Sequence, residues 1–325
     1  MKLIATDERW PLAGAFAISR GSKTEAHVVV VELHQGDHVG RGEATPYARY
    51  GETVDGVLGQ VEGVRSAVEA GVDRERLSGL LPPGSARNAL DCALWDLEAK
   101  QLGQRAFTLA GFARLDPVKT AYTLSLAPAE AMAEAARGAA RRPLLKLKIG
   151  GPDDLDRVAA VRAAAPRTRL IVDANEALGL DDLKQLAPDF ARLGVKAIEQ
   201  PLPAGADAEL EGYDSPVLLC ADESIHTRAE LDACAPRYGA INIKLDKTGG
   251  LTEALALRAE ARARGLEIMA GCMVATSLSM APAMLIAQGA AFVDLDGPLL
   301  LARDRDPGLH FTGSVIEPYG PEVWG

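Results

Sequence analysis

Apolar positions follow a period of two over short runs and a helical period over longer ones, and the two periods divide the chain in two. Near the N-terminus Val28 to Leu33 is an apolar strand, Gln35-Gly36-Asp37 has the chemistry of a turn, and Val39 to Ala44 returns, which predicts a hairpin. Polar, glycine-containing stretches, Ser19 to Glu25 and Thr45 to Glu52, read as loops on either side of it. Helical patterning follows, most clearly after Pro82-Pro83-Gly84, with Ser85 as expected N-cap and an end near Gly103. From about Asp116 the texture becomes a repeat of short apolar strands and alanine-rich helical stretches. Eight strands are expected: Lys119–Leu124, Leu144–Ile149, Arg169–Asp173, Lys196–Glu199, Val217–Ala221, Ile241–Leu245, Leu266–Ala270 and Ala291–Leu295.

Regular βα repetition calls for a parallel sheet, and eight strands suffice to close a barrel; an open doubly wound sheet is the structural alternative. The repeat count favours an α/β barrel over residues 116–300, beside an α+β part over 1–115. The segment 301–325 starts no further βα unit and is expected to pack back onto the N-terminal part.

Barrel chemistry belongs at the carboxyl ends of the strands. There the sequence places Lys146 and Lys148 on the second strand, Asp173 on the third, Glu199 on the fourth, Asp222 on the fifth and Lys244 on the sixth. Strand alternation puts these residues inward and Leu145, Leu147, Ile149, Ile198, Ile243 and Leu245 outward. Three carboxylates on consecutive strand ends repel one another unless a hard cation lies among them. All-oxygen ligands suit Mg2+, with Mn2+ as a substitute. The second and sixth strands of an eight-stranded barrel face each other, so Lys148 and Lys244 are expected to flank a substrate from opposite sides. That arrangement removes a proton from one face and returns one to the other, inverting a stereocentre. A lysine base requires its pKa brought down from about 10.4 toward about 8, a differential of about 3 kcal/mol. A bound cation and neighbouring Lys146 both act in that direction.

Composition narrows the partners. The chain has 325 residues, 48% of them hydrophobic, and a net charge of −10 with no basic cluster, so neither nucleic acid nor an anionic membrane is an expected partner. No signal peptide and no bilayer-spanning run is evident, which makes the cytoplasm the expected location. Cys92, Cys220, Cys234 and Cys272 are widely spaced and read as buried small apolar residues. A homo-oligomer is compatible with all of this.

The series Lys146-Leu147-Lys148, Asp173-Ala174-Asn175, Glu199-Gln200-Pro201, Asp222-Glu223-Ser224 and Lys244 resembles the muconate-lactonizing subgroup of the enolase superfamily, and within it the dipeptide epimerases acting on L-Ala-D/L-Glu. Asn242 to Gly250, Ala89 to Asp96 and Asp294 to Pro298 carry the resemblance over nearly the whole chain. It implies an α/β fold, a modified TIM barrel, (β/α)7β, over 116–300 with an α+β capping domain over 1–115, one Mg2+ per subunit on Asp173, Glu199 and Asp222, and Lys148 and Lys244 as the acid/base pair of a 1,1-proton transfer through an enediolate. It further implies that Asp294 and Asp296 hold the substrate's α-ammonium, with Lys146 and Thr123 as further substrate contacts. Arg20 would meet the glutamate side-chain carboxylate, and Asn175, Glu223 and Asp246 would orient Lys244 or the metal's water. The implied setting is breakdown of cell-wall peptides. Dipeptide epimerisation of other specificity, cycloisomerisation and o-succinylbenzoate synthesis are the alternatives on the same scaffold.

Overall fold

The two periods separate in space as they do in sequence. The computed structural model describes residues 1–325. Strands β1 (Lys2–Ile18), β2 (Gly21–Gln35) and β3 (His38–Ala44) form an antiparallel sheet in that order. The expected hairpin is its β2–β3 half. The long β1 was not legible because few of its positions are buried and its apolar residues do not alternate. The expected loop Ser19 to Glu25 is mostly strand: β1 and β2 pair down to Ile18 opposite Gly21, leaving only Ser19 and Arg20 as a turn. An exposed ribbon of polar residues looks like a loop in sequence because no face of it is buried.

Eight strands form the second sheet: β5 (Tyr122–Leu124), β6 (Leu144–Lys148), β7 (Arg169–Asp173), β8 (Val195–Glu199), β9 (Leu218–Ala221), β10 (Ala240–Ile243), β11 (Glu267–Gly271) and β12 (Phe292–Asp294). The pairings between them are parallel and run in sequence order. The seam is bridged where Ala121 N donates to Val293 O at 2.7 Å and Leu295 N donates to Thr120 Oγ1 at 2.8 Å, so the sheet is a barrel rather than an open doubly wound layer. The first expected strand splits: Val118–Lys119 (β4) leaves the barrel and pairs with β14 (Val315–Ile316), which pairs in turn with β13 (Phe311–Thr312).

Pleating sorts each strand into two destinies. Ala121, Leu144, Ile171, Ala197, Cys220, Ala240, Met269 and Phe292, one residue from each barrel segment, pack into a plug inside the barrel. One pleat further along, Lys146, Asp173, Glu199, Asp222, Asn242, Gly271 and Asp294 share the interior above this plug. Leu145, Leu147, Leu170, Val172, Ile198, Leu219, Ile241 and Ile243 join the outer core under the helices. The apolar plug closes one end of the cylinder and leaves the charged layer at the other.

Helix Ser85–Leu102 joins cap to barrel. Gly84 is its N-cap, one residue before the expected one, and Gly103 ends it in the left-handed conformation. Ser85, inside the first turn, donates its hydroxyl hydrogen to Glu52 Oε2 at 2.7 Å instead. The helix reaches the barrel through Asp91, whose carboxylate accepts from Thr252 N at 3.0 Å and Thr252 Oγ1 at 2.5 Å at the start of helix Leu251–Ala263. A capping-domain residue thus satisfies the exposed amides of a barrel helix. The C-terminal segment packs on the same helix, where Trp324 Nε1 donates to Cys92 O at 3.2 Å and Gly325 N to Asp96 Oδ1 at 2.7 Å.

On its other side the helix lies against β3 without a side chain between them at Gly42, where a Cβ would stand 2.0 Å from Ala89 O and 2.8 Å from Ala93 N. Both obstacles are backbone and cannot rotate away. Gly42→Ala is expected to destabilise the protein by about 1–3 kcal/mol or more, the range of overpacking, read as a lower midpoint in urea unfolding with m unchanged.

Candidate active site

The charged layer inside the barrel is densely paired. Lys146 Nζ, 2% exposed, lies 2.7 Å from Asp294 Oδ2, 3.0 Å from Asp173 Oδ2 and 2.6 Å from Glu199 Oε2. Lys148 Nζ donates to Asp173 Oδ2 at 2.5 Å, and Lys244 Nζ to Asp222 Oδ2 at 2.6 Å. Lys148 ends β6 and Lys244 follows β10, four strands apart around the eight, and both line one cavity of about 480 Å³ under the capping loops. The cavity wall also carries Thr123, Lys146, Asn175, Asp222, Glu223, Asp294 and Asp296.

Charge and burial compete at each group. Burial disfavours the Lys146 and Lys244 ammonium ions, but the surrounding carboxylates outweigh it, and both pKa values lie well above the ordinary lysine value. Of the two cations expected from sequence to lower a lysine base, Lys146 does act on Lys244 in that direction, but Asp222 and Glu199 act more strongly. Asp173 is held below the usual carboxylate range by Lys146 and Lys148 despite its burial, and Asp222 by Lys244 and Lys247. Glu199 is pushed up to about 7 by burial and by Asp173. Asp296 is pushed up to about 7 by burial and by Asp294.

Asp173, Glu199 and Asp222 lean toward the lysines, so no three acids converge on a single point. The donor set nevertheless fits a hard dication. All three are buried oxygen donors on adjacent strands, and Glu199 Oε2, although close to Lys146, lies off the hydrogen-bonding direction and has no donor. Asp294 Oδ1 is likewise without a donor. Other groups fix how the acids present themselves. Asn175 N donates to Asp173 Oδ1 at 3.0 Å, Asn242 Nδ2 to Glu199 Oε1 at 2.8 Å, and Lys247 Nζ to Asp222 Oδ1 at 2.6 Å. Gln200 Oε1 accepts from Asp222 N at 2.8 Å and Ser224 N at 3.1 Å.

Asn242 and Lys247 were not singled out from sequence. Asn242 was within reach of the same alternation, two residues before Lys244. Lys247 lies on the short helix Leu245–Thr248, where strand alternation no longer applies. That change of period also moves Asp246. Expected beside Lys244 or a metal's water, it faces the cap, accepting from Thr45 N at 2.9 Å and Asn88 Nδ2 at 3.0 Å. Glu223 reaches the capping turn, accepting from Arg20 at 2.7 Å, and from Asn175 Nδ2 at 3.5 Å. Thr123 N donates to Asp296 Oδ2 at 2.7 Å, fixing that carboxylate at the cavity wall.

Arg20 borders the cavity, but its guanidinium is occupied. Besides Glu223 it donates to Asn175 O at 2.9 Å, Glu176 Oε2 at 3.1 Å and Tyr47 OH at 3.0 Å. Lys23, on the same ribbon, lines the cavity and makes neither a hydrogen bond nor a salt bridge; burial lowers its pKa. Nothing in the local pattern of the sequence distinguishes the two cations.

Two sequence profiles match the chain: the mandelate racemase / muconate lactonizing enzyme N-terminal domain over residues 1–111, and the enolase C-terminal domain-like profile over 129–307. The L-Ala-D/L-Glu epimerase of Escherichia coli K12 is 48% identical over 308 residues, covering 94% of this chain and 96% of that protein. The N-acetyl-D-glutamate racemase of a Pseudoalteromonas species is 42% identical, covering 92% and 95%. Among solved structures, an enolase family member from Agrobacterium tumefaciens with homology to dipeptide epimerases, holding sodium and L-Ala-L-Glu, superposes with a TM-score of 0.98 at 54% identity over 99% of both chains.

The cap-facing Asp246 makes stability depend on pH. Burial raises its pKa from 3.8 to about 7, so the folded protein holds a proton that the unfolded chain releases. The stabilising protonated state is complete below about 4 and is lost as pH rises toward 7, where stability falls. Asp246→Asn keeps an acceptor for Thr45 and Asn88 but has no proton to lose. Relative to the parent it is expected to gain stability between pH 4 and 8, by at most about 4 kcal/mol, measured as urea unfolding free energies at both pH values; an unchanged difference contradicts the assignment.

Proposed function

This chain belongs to the mandelate racemase / muconate lactonizing enzyme family of enolase-like proteins, and from that premise we infer that it is an isomerase inverting the α-carbon of the glutamyl residue in L-Ala-D/L-Glu. The observation that carries the reading is the pair of buried lysines, Lys148 and Lys244, four strands apart around the barrel and lining one cavity whose walls bear buried acids.

Asp173, Glu199 and Asp222 would hold the Mg2+, for which Mn2+ would substitute, and the ion would supply charge stabilisation to a substrate carboxylate whose neighbouring α-proton is removed. Lys148 and Lys244 act on the α-carbon from the two faces, one taking the proton and the other returning one, with exchanged roles for the opposite enantiomer. Asn242, Lys247 and Asn175 keep the acids oriented. Asp296, fixed by Thr123, and Asp294, paired with Lys146, take the α-ammonium of the alanyl residue.

Recognition of the glutamyl side chain falls to Lys23. A side-chain carboxylate needs a cation with donors to spare; Arg20 has four acceptors already, while Lys23 faces the cavity unpaired. Burying an anion against an unpaired cation lowers the desolvation cost of both. Arg20 stays on as a support of the capping turn.

A second reading keeps the chemistry and changes the acyl group. The Pseudoalteromonas relative is named for N-acetyl-D-glutamate, which has no α-ammonium, and here Lys146 already neutralises part of the Asp294 charge. The same experiment separates the two. Incubation with Mg2+ in D2O is expected to place deuterium at the glutamyl α-carbon of L-Ala-L-Glu faster than at that of N-acetyl-L-glutamate. The reverse order favours the second reading, and no exchange with either rules out both. Lys148→Ala and Lys244→Ala are each expected to lower epimerisation by a factor of about 10²–10⁴, measured by polarimetry; undiminished turnover in either removes the two-base mechanism.

Lys23→Ala is expected to cost about tenfold or more in kcat/KM on L-Ala-L-Glu and much less on L-Ala dipeptides with an uncharged second residue. Equal losses on both, in steady-state assays, refute the assignment of Lys23.

A further inference from the structure

One carboxylate outside the charged layer ties three separate loops together. Glu176 accepts from Arg49 Nε and Arg49 Nη2, both at 2.8 Å, from Arg20 Nη1 at 3.1 Å and from Ala204 N at 2.8 Å. Arg20 belongs to the β1–β2 turn, Arg49 to the short 3-10 turn Ala48–Tyr50 that follows β3, and Ala204 to the loop after β8. The Glu176 side chain is 9% exposed, whereas those of Arg20 and Arg49 are 26% and 39% exposed, so the carboxylate is the fixed member and the arginines are the arms that reach it.

The backbone beneath it is unusual. Asn175 and Glu176 have φ of 43° and 70°, left-handed values that cost a side-chain-bearing residue free energy. The conformation is held by Glu176 N donating to Gln200 O at 2.9 Å. It directs two acceptors at the cap at once: the Asn175 carbonyl and the Glu176 carboxylate both receive Arg20 Nη1. A strained pair at a strand end would be expected to relax unless the surrounding contacts required it. Here the contacts it makes are with the turn that leads into β2, whose third residue is Lys23.

We propose that Glu176 is a positioning residue for substrate specificity: by holding Arg20 and Arg49 it sets the β1–β2 turn so that Lys23 projects into the cavity toward an anionic side chain of the substrate. The inference rests on the reading of Lys23 given above. It explains why the guanidinium nearest the cavity is consumed by protein acceptors while the ammonium beside it has none. Glu223 grips Arg20 from the barrel side and Tyr47 from the cap side. Glu176 alone also engages Arg49, and so joins both capping loops to one point of the barrel.

The test is Glu176→Gln, which preserves volume and removes the charge that the two arginines share. On L-Ala-L-Glu the expected result is a rise in KM of about tenfold, with kcat changed by a much smaller factor. On L-Ala dipeptides of uncharged second residue the rise is expected to be several-fold smaller. In the background of Lys23→Ala, Glu176→Gln is expected to add little on the glutamyl substrate, because its effect passes through Lys23. Arg49→Gln provides a second variant with the same expected direction. An equal KM rise on charged and uncharged dipeptides, additivity of Glu176→Gln with Lys23→Ala, or no change in KM each overturns the proposal. If Lys23→Ala itself fails to discriminate the two substrate classes, the Lys23 reading is what has failed, and the selectivity of Glu176→Gln, measured without Lys23 substituted, still stands as a separate result.

Discussion

Lysine ammonium ions and carboxylates packed side by side, out of water, inside a closed barrel are the interaction to which the rest of this structure answers. Burying one such charge alone costs several kcal/mol, and removing one member of a buried pair costs about 3–5 kcal/mol. Lys146 against Asp173, Glu199 and Asp294, Lys148 against Asp173, and Lys244 and Lys247 against Asp222 therefore have to be assembled together. The hydrogen bonding is incomplete: Glu199 Oε2, although beside the Lys146 ammonium, and Asp294 Oδ1 are buried oxygens that accept no hydrogen bond. On the reading proposed above, a dication and the ammonium group of a substrate would supply the positive charge that these oxygens are placed to accept.

A layer of this kind needs rigid walls. The plug beneath it, from Ala121 round to Phe292, takes one side chain from each barrel segment, and the outward residues of the same strands lock into the helical shell. The capping domain is anchored with comparable care. Asp91 caps helix Leu251–Ala263 across the domain boundary, Gly250 leaves room for the Asp91 carboxylate, which a Cβ there would meet at 2.4 Å, and Arg87 donates to Thr248 O at 2.6 Å. On the far side Arg305 joins Glu43 and Glu8, while Glu43 Oε1 accepts from Thr276 N at 2.8 Å at the start of helix Ser277–Ala287. The cap is therefore a fixed frame, and its cations Arg20, Lys23 and Arg49 border the cavity.

Most of the barrel was legible because a single rule, alternation, governs it. Once Lys146 and Lys148 are placed inward, every strand end follows, and Asp173, Glu199, Asp222, Lys244 and Asp294 are brought to one interior as that rule requires. The rule stops where the backbone stops being a strand. Asp246, in the first turn of a helix, turns to Thr45 and Asn88, while Lys247, three residues after Lys244, comes round to Asp222. The capping ribbon was less legible for a different reason. Its side chains are half exposed, so neither period marks them, and the choice between Arg20 and Lys23 is made by acceptors distant in sequence: Asn175, Glu176 and Glu223.

That last contrast bears on how such a scaffold separates reaction from selectivity. Lys148 and Lys244, proposed to act on the reacting carbon, are set by short-range pleating and a plugged barrel, which tolerate little change. The residue proposed to meet the substrate's side chain, Lys23, is set by contacts between the cap and the barrel rim, in which half-exposed arginines reach the buried or nearly buried acceptors Asn175 O, Glu176 and Glu223. Exchanging which of two neighbouring cations is tied down requires no change in the barrel interior. A shift of the acceptors at Asn175–Glu176, or of the arms at Arg20 and Arg49, would turn a different side chain toward the cavity while Lys148, Lys244 and the three acids between them keep their places. On the proposed reading, specificity is thus a property of the cap's attachment, and the inversion chemistry a property of the barrel's pleat.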